Sequence, residues 1–250
     1  MDWMAHSPLT KFESVTWFVG AGIGLGLFAY FLAKWRRAEF PQAKRFFFGL
    51  AAFAVTYSVA RLIENFRKYF VSDDLQDIVN AWTAGEQITG LNWDLRIAYY
   101  VIAWFGIATF YFHAERHVFA GKTKYVLTLA SVVEGTVSVL QYVFAPGSAA
   151  FRACSATAAV GFFVAGVFPV LLFVNMARTT TGTVRRNNLV VAVGLALFVT
   201  GVLADLPETG FITGQSLPQL ITGPLAALLI FSGFVLMAAG FRSMYSSTIT

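Results

Sequence analysis

The sequence predicts an all-α fold, a seven-transmembrane-helix bundle with the N-terminus outside and the C-terminus in the cytoplasm. Of its 250 residues, 57% are hydrophobic and only 12% are charged. Soluble domains carry about 25% charged residues, so this composition is typical of an integral membrane protein. Long apolar runs recur along the chain, and about 20 such residues suffice for a helix to cross the hydrocarbon core. We therefore expect one integral membrane domain over residues 1–250.

Seven segments are long and apolar enough to span once isolated polar residues are allowed. Their predicted bounds are 14–35, 45–66, 94–116, 124–145, 151–177, 186–206 and 217–241. The second span must continue past Arg61 to reach full length, and Glu134 interrupts the fourth. Small residues allow close helix contact in membranes. The first span carries four of them, Gly20, Gly22, Gly24 and Gly26.

The orientation follows from the distribution of basic residues. Most of the 18 lysines and arginines lie in the first, third and fifth connections or after the last helix. Short basic loops stay in the cytoplasm, which predicts this orientation in the plasma membrane. The net charge of +5 is then explained by topology. A nucleic-acid partner would need a basic patch within a recognisable module, and we expect none.

The longest predicted loop lies outside and carries an amphipathic helical pattern at roughly 72–84. Its apolar residues recur at helical spacing, namely Leu75, Ile78, Val79 and Trp82. Ser72 is suited to cap the start of this helix, and Gly85 to end it. The segment is interpreted either as an anchor on the membrane surface or as a lid over the mouth of the bundle.

The fourth span carries the clearest polar pattern in the chain. Its polar residues, spaced 3, 3, 4 and 3 apart, are Thr128, Ser131, Glu134, Ser138 and Gln141. This spacing places them on one face of a helix, while most other positions are apolar. Lipid cannot satisfy the hydrogen bonds of such a face, so it is predicted to face the bundle interior or a water-filled cavity.

Glu134 is the leading candidate for a binding residue, because an acidic group inside a span is costly and marks a site by default. It lies ten residues beyond Lys124, about 15 Å deep and near the midplane of the bilayer. Thr56 and Tyr57 reach a similar depth on the second helix. Two interpretations compete: Glu134 binds a cation, a proton or a polar ligand, or it is a hydrogen-bonded residue that joins helices.

Further candidates lie about 24–29 Å from the cytoplasmic end, in an outer layer. Three arrangements are predicted for the Arg61 side chain: an ion pair with Glu64 one turn away, snorkelling of its charged end toward the outer surface, or an ion pair with Asp205. Aromatic residues on the third helix, Trp104 among them, could wall a vestibule. The full predicted ligand-binding set is Glu134, Gln141, Ser138, Ser131, Arg61, Tyr57, Asp205 and Trp104.

Several chemistries are not expected. In size and orientation the predicted bundle is similar to the microbial rhodopsins, whose retinal forms a Schiff base with a lysine of the last helix. Helices six and seven here contain no lysine, which excludes that cofactor chemistry. His113 and His117 have the i, i+4 spacing of metal ligands, but no third ligand is evident, and a solvated pair is favoured. No catalytic motif is visible, so we predict neither an enzyme nor a bound cofactor.

Three functions remain open. The first is a receptor or sensor that binds a small polar or amphipathic molecule from outside and signals through a partner protein. The second is a small transporter or channel coupled through Glu134. A weak repeat between residues 53–62 and 197–206 would give it a 3+1+3 plan. The third is a non-catalytic subunit of a larger membrane complex.

Overall fold

Helices are the only regular elements in the part of the chain that the structure, a computed structural model, describes. The described residues are 8–71, 90–119, 121–140, 143–144, 148–205 and 219–246. The helices are α1 Pro8–Arg37, α2 Pro41–Phe66, α3 Leu91–His117, α4 Val126–Leu140, α5 Ala149–Thr179, α6 Gly182–Asp205 and α7 Gln219–Ser246. A π-helical turn, Arg67–Val71, extends α2. The amphipathic helix predicted at 72–84 and the candidate Gln141 lie outside the described residues.

Six of these helices, all except α4, are long and apolar enough to cross a membrane. The chain therefore has the helices of a multi-pass membrane protein. α4 has 15 residues, which span about 22 Å, less than a hydrocarbon core of about 30 Å. Its described part ends at Leu140, and residues 143 and 144, where the prediction continued the helix to 145, form a turn. The sequence places Pro146 and Gly147, both helix breakers, close behind.

α1 begins earlier than predicted, at Pro8 instead of residue 14. The prediction placed its boundary at Glu13, the last charged residue before the apolar run. Hydropathy marks only the part of a helix that is apolar, whereas the backbone hydrogen bonds continue through Lys11 and Glu13. Proline is favoured in the first turn of a helix, where its missing N–H needs no partner.

The helices form two compact units. The first consists mainly of Phe28–Ala165, and the second contains Ser7–Leu27 and Gly166–Thr250. Each boundary falls inside a helix, so α1 and α5 each contribute to both units. The prediction of one domain over 1–250 stays a prediction.

In the first unit, α2, α3 and α4 run alternately up and down. Gly49 of α2 lies against His113 of α3, and Thr56 of α2 lies against Gly106. Residue numbers rise on one helix as they fall on the other, so the two helices are antiparallel. Phe53 of α2 stacks on Phe110 of α3 with ring centroids 5.2 Å apart, between these two glycine contacts.

In the second unit, α6 and α7 pack backbone to backbone. A Cβ atom added to Gly194 would lie 2.8 Å from the carbonyl oxygen of Gly233. Gly201 faces Ala226 in the same way, and Gly240 faces Asn187. The pairs again run in opposite directions, so α6 and α7 are antiparallel, and small residues allow their close approach.

α1 and α7 are parallel neighbours in the same unit. Glu13 lies beside Gly223, and Gly20 lies beside the ring of Phe231. Trp17, which is buried, meets Phe231 edge-on with ring centroids 6.3 Å apart. The residue numbers of the two helices rise together, which defines their common direction.

The start of α4 is stabilised by a carboxylate from another helix. Lys124 and Tyr125 have φ values of 50° and 60° just before the helix. Neither side chain is a good cap. Instead the fully buried Glu115 of α3 accepts hydrogen bonds from the backbone N–H groups of Leu127 and Thr128, both at 2.9 Å. It also accepts one from the hydroxyl of Thr128 at 2.6 Å, so one side chain joins α3 to α4.

We expect Glu115→Gln to lower the free energy of unfolding by about 1–3 kcal/mol, because the amide NH₂ group would face N–H donors that the carboxylate now accepts. Thermal unfolding of the purified protein in detergent measures this loss. Thr136→Val is the matched control, because the exposed Thr136 hydroxyl bonds only the carbonyl of Val132 in its own helix. Equal melting temperatures for the two variants would contradict the capping role.

Candidate functional site

The candidate site is built on the inward face of α4. Within the helix the buried residues are Leu127, Ser131, Glu134 and Ser138. Leu129 and Val132 on the other side are 64% and 51% exposed. The structure therefore places three of the predicted binding residues on one buried face, as their spacing indicated. Their binding role stays a prediction.

Glu134 and its neighbour Gly135 pack against two other helices of the first unit. A Cβ atom added to Gly161 of α5 would lie 2.5 Å from Oε2 of Glu134. On the other side, Trp104 of α3 lies against Gly135, where an added Cβ would be 2.7 Å from the Trp104 Cβ. Glycine at positions 135 and 161 thus creates the room in which the carboxyl group and the indole lie.

One oxygen of the Glu134 carboxyl group is available for a further bond. Glu134 is only 5% exposed, and its Oε2 atom has no hydrogen-bond partner among the described residues. A buried acceptor without a partner is expensive, typically by about 1–3 kcal/mol. Such an atom in a native protein calls for an explanation, and an ordered water, an ion or a ligand group would supply the missing partner.

The neighbouring hydroxyl groups of α4 differ from Oε2 of Glu134, because their bonds are made within the protein. Ser131 donates to the carbonyl of Leu127 at 2.9 Å, and Thr128 donates to Glu115. Ser138 is buried one turn further along. On this face, the hydroxyl groups that already have hydrogen-bond partners lie toward the start of α4. The acceptor without a partner, Oε2 of Glu134, lies near the middle of the helix.

The packing gives Glu134 and Thr56 a similar level along their helices, as the residue counts predicted, while their depth in a bilayer stays a prediction. Thr56 of α2 lies against Gly106 of α3, and Trp104, half a turn away on α3, lies against Gly135 of α4. Thr56 and Glu134 are therefore at nearly the same level. The Thr56 hydroxyl bonds the carbonyl of Ala52 at 2.7 Å, so it supports its own helix.

Arg61 and Tyr57 lie together in a second polar cluster. Both are 2% exposed, so the snorkelling alternative for Arg61 is wrong. The Tyr57 hydroxyl accepts hydrogen bonds from Arg61 Nε at 3.1 Å and Nη2 at 2.9 Å. The guanidinium also lies 5.3 Å from the ring centroids of Tyr57 and Tyr99. Aromatic rings attract cations. The contacts with these two rings stabilise the buried guanidinium, so the side chain does not need to extend to water.

The centre of this cluster is Glu64, which the sequence analysis considered only as a partner for Arg61. Arg67 donates two hydrogen bonds to the carboxylate, Nε to Oε2 at 2.9 Å and Nη2 to Oε1 at 2.7 Å. Arg96 of α3 donates a third to Oε1. Arg67 also donates to Asn92 of α3 at 2.6 Å. The cluster therefore joins the end of α2 to the start of α3.

Asp205 and the two histidines of α3 are the remaining candidates. Asp205 is the last residue of α6 and is partly exposed, in the second unit. Its pairing with Arg61 stays a prediction. The rings of His113 and His117 stack with centroids 5.9 Å apart. Across the described ranges, no group of three His, Cys, Asp or Glu side chains is placed to hold a metal.

Comparison with protein-family models, with curated proteins and with solved structures finds no match to this chain.

Proposed function

We propose that the chain crosses the bilayer seven times, with the N-terminus outside and the C-terminus in the cytoplasm. The parallel packing of α1 and α7 supports this number. Helices that cross in succession alternate in direction, so the first and seventh crossings run the same way. Without α4 as a crossing, α1 and α7 would be the first and sixth and would run in opposite directions. The basic loops support the orientation.

The proposed function is that of a membrane receptor or sensor, which binds a small polar or amphipathic molecule beside Glu134. The observation that carries the proposal is the buried Oε2 atom without a partner, on a face that also presents Ser138. A ligand that brings a hydrogen-bond donor, such as an amine or a hydroxyl group, would complete the bonding of this carboxyl group. The indole of Trp104 offers an apolar surface next to it.

The bonding pattern favours a receptor over a transporter. A transporter needs a polar path that continues from Glu134 to the cytoplasm. On that side Ser131 is bonded to the backbone of its own helix, and Glu115 is bonded to the start of α4. Because the hydrogen bonds of these groups are already made within the protein, they do not offer a polar path from Glu134 to the cytoplasmic side. Short connections, such as the two residues between α5 and α6, leave the output to a partner protein rather than to an enzyme domain.

The test is a thermal-shift screen of the purified protein against primary amines, sugars and amino acids. We expect at least one class to raise the melting temperature of the wild type and to leave Glu134→Gln unchanged. Thr136→Ala is the matched control, because its hydroxyl lies on the exposed side of α4 and bonds the carbonyl of Val132 in its own helix. It should keep the full shift.

Two outcomes would overturn the proposal. An equal shift in the wild type and in Glu134→Gln, for every compound that binds, would place the site elsewhere. A proton flux into vesicles that depends on Glu134 would favour the transporter instead, since a receptor open on one side conducts nothing. Dye-loaded vesicles with the wild type and with Glu134→Gln separate these two functions.

A further inference from the structure

A groove on the second unit combines an apolar floor with two arginines at one end. Its volume is about 470 Å³, and it is lined by Gly182, Arg185, Arg186, Leu189, Val190, Val193 and Leu236. All but Leu236 belong to α6, so the groove follows one side of that helix, with α7 as its second wall. Leu189 and Val193 are 41% and 51% exposed, which leaves the groove open to its surroundings.

The arrangement of these residues follows from helical spacing. Arg186, Val190 and Val193 are at positions i, i+4 and i+7 and share one face. Arg185 and Leu189 form the adjoining row. The groove therefore runs from the basic end of α6 into its apolar part over about 10 Å.

The charge at the basic end is concentrated. The sequence has no aspartate or glutamate between residues 135 and 204. The same range contains Arg178, Arg185 and Arg186. These three side chains are exposed, around a connection of two residues. Because Asn187 lies against Gly240, the antiparallel register brings Arg242 of α7 to the level of Arg185. An anion that approaches this end of the unit meets several guanidinium groups.

We propose that this groove binds one anionic phospholipid from the leaflet on the side of the basic loops. Its phosphate contacts Arg185 and Arg186, since guanidinium groups bind phosphate through paired hydrogen bonds. One acyl chain lies along Leu189, Val193 and Leu236. Basic pockets between transmembrane helices have this preference for anionic headgroups, and the apolar floor selects a lipid over a soluble phosphate. The inference is independent of the site at Glu134.

The test compares two spin-labelled lipids, phosphatidylglycerol and phosphatidylcholine, in phosphatidylcholine vesicles that contain the full chain. Electron spin resonance measures the lipid fraction held immobile by the protein. We expect the wild type to hold phosphatidylglycerol preferentially. The preference should fall by roughly 30-fold in Arg185→Gln/Arg186→Gln, because each arginine contributes about 1 kcal/mol near an anionic headgroup.

Two further variants separate a site from diffuse charge. Arg36→Gln/Arg37→Gln removes an equal charge from the exposed end of α1 and should keep the preference. Val193→Phe fills the groove, keeps both arginines and should lower the immobile fraction of phosphatidylglycerol. An equal loss in both arginine pairs would overturn the proposal, and so would an unchanged immobile fraction in Val193→Phe or a wild type without preference.

Discussion

Replacing Glu64 with glutamine should lower the free energy of unfolding by about 3–5 kcal/mol, the usual cost of removing one partner from a buried ion pair. Glu64 is 8% exposed and accepts three hydrogen bonds from Arg67 and Arg96. A glutamine would turn an NH₂ group toward guanidinium donors, which cannot accept. It would also remove the negative charge that Arg61, Arg67 and Arg96 all experience. Thermal unfolding in detergent, followed by circular dichroism, measures the loss.

Glu39→Gln is the matched control for this change. Glu39 is exposed in the connection between α1 and α2, where the same substitution should alter stability by less than about 0.5 kcal/mol. Glu64→Asp keeps the charge on a shorter side chain and should fall between the two. Similar melting temperatures for Glu64→Gln and Glu39→Gln would show that the buried carboxylate does not hold α2 and α3 together.

The inward face of α4 could be predicted from the sequence because the contrast along the helix is large. Valines cover the outside, and polar residues recur at helical spacing on the inside. Only the apolar side of such a helix can face lipid, so the rotation of the helix about its axis is determined. The same spacing could not show that Gly161 would lie beside Glu134 and Trp104 beside Gly135, since a sequence pattern defines one face without identifying what lies opposite.

The partners of Arg61 illustrate the same limit. Spacing along α2 suggested Glu64, which is one turn away. The charge of Arg61 does act on Glu64, but the carboxylate is bonded to Arg67, another turn on, and to Arg96 of α3. Arg61 itself lies against the rings of Tyr57 and Tyr99. Which of several charges converge depends on how two helices rotate and slide against each other, and residue spacing within one helix does not determine this.

Glu115 was missed because two of its three hydrogen-bond donors are backbone groups. No sequence pattern assigned it a role. Every residue except proline carries an N–H group, so a carboxylate that caps a neighbouring helix has no paired motif to find. One signal was present: Lys124 and Tyr125 precede α4 without a good capping side chain, so the first N–H groups of the helix needed an acceptor from elsewhere.

The glycine contacts depart most from the prediction. Gly20 does meet Phe231, but around Gly22 and Gly26 the described part of the chain places no atom within 4 Å of an added Cβ. The close contacts lie instead between α6 and α7, where each helix carries two glycines seven residues apart. On α6 these glycines are Gly194 and Gly201, and on α7 they are Gly233 and Gly240. A spacing of seven keeps both glycines on one side of a helix, whereas glycines at every second position alternate between two opposite sides.

Gly233→Ala should therefore destabilise the second unit by about 3 kcal/mol, at the upper end of the usual cost of overpacking. The added Cβ would lie 2.5 Å from the carbonyl oxygen of Gly194 and 2.7 Å from the backbone nitrogen of Phe198. Backbone atoms cannot rotate away as a flexible side chain can, so α6 and α7 would have to separate along their length.

Gly22→Ala provides the same chemical change on α1, in open space, and should be neutral or stabilising by up to about 1 kcal/mol because alanine favours a helix over glycine. Comparison of the two thermal unfolding curves isolates the contact from the intrinsic effect of the substitution. If Gly233→Ala and Gly22→Ala have the same melting temperature, the close approach of the two backbones contributes little to stability. In that case the apolar side chains along α6 and α7, rather than the glycines, hold this pair of helices together.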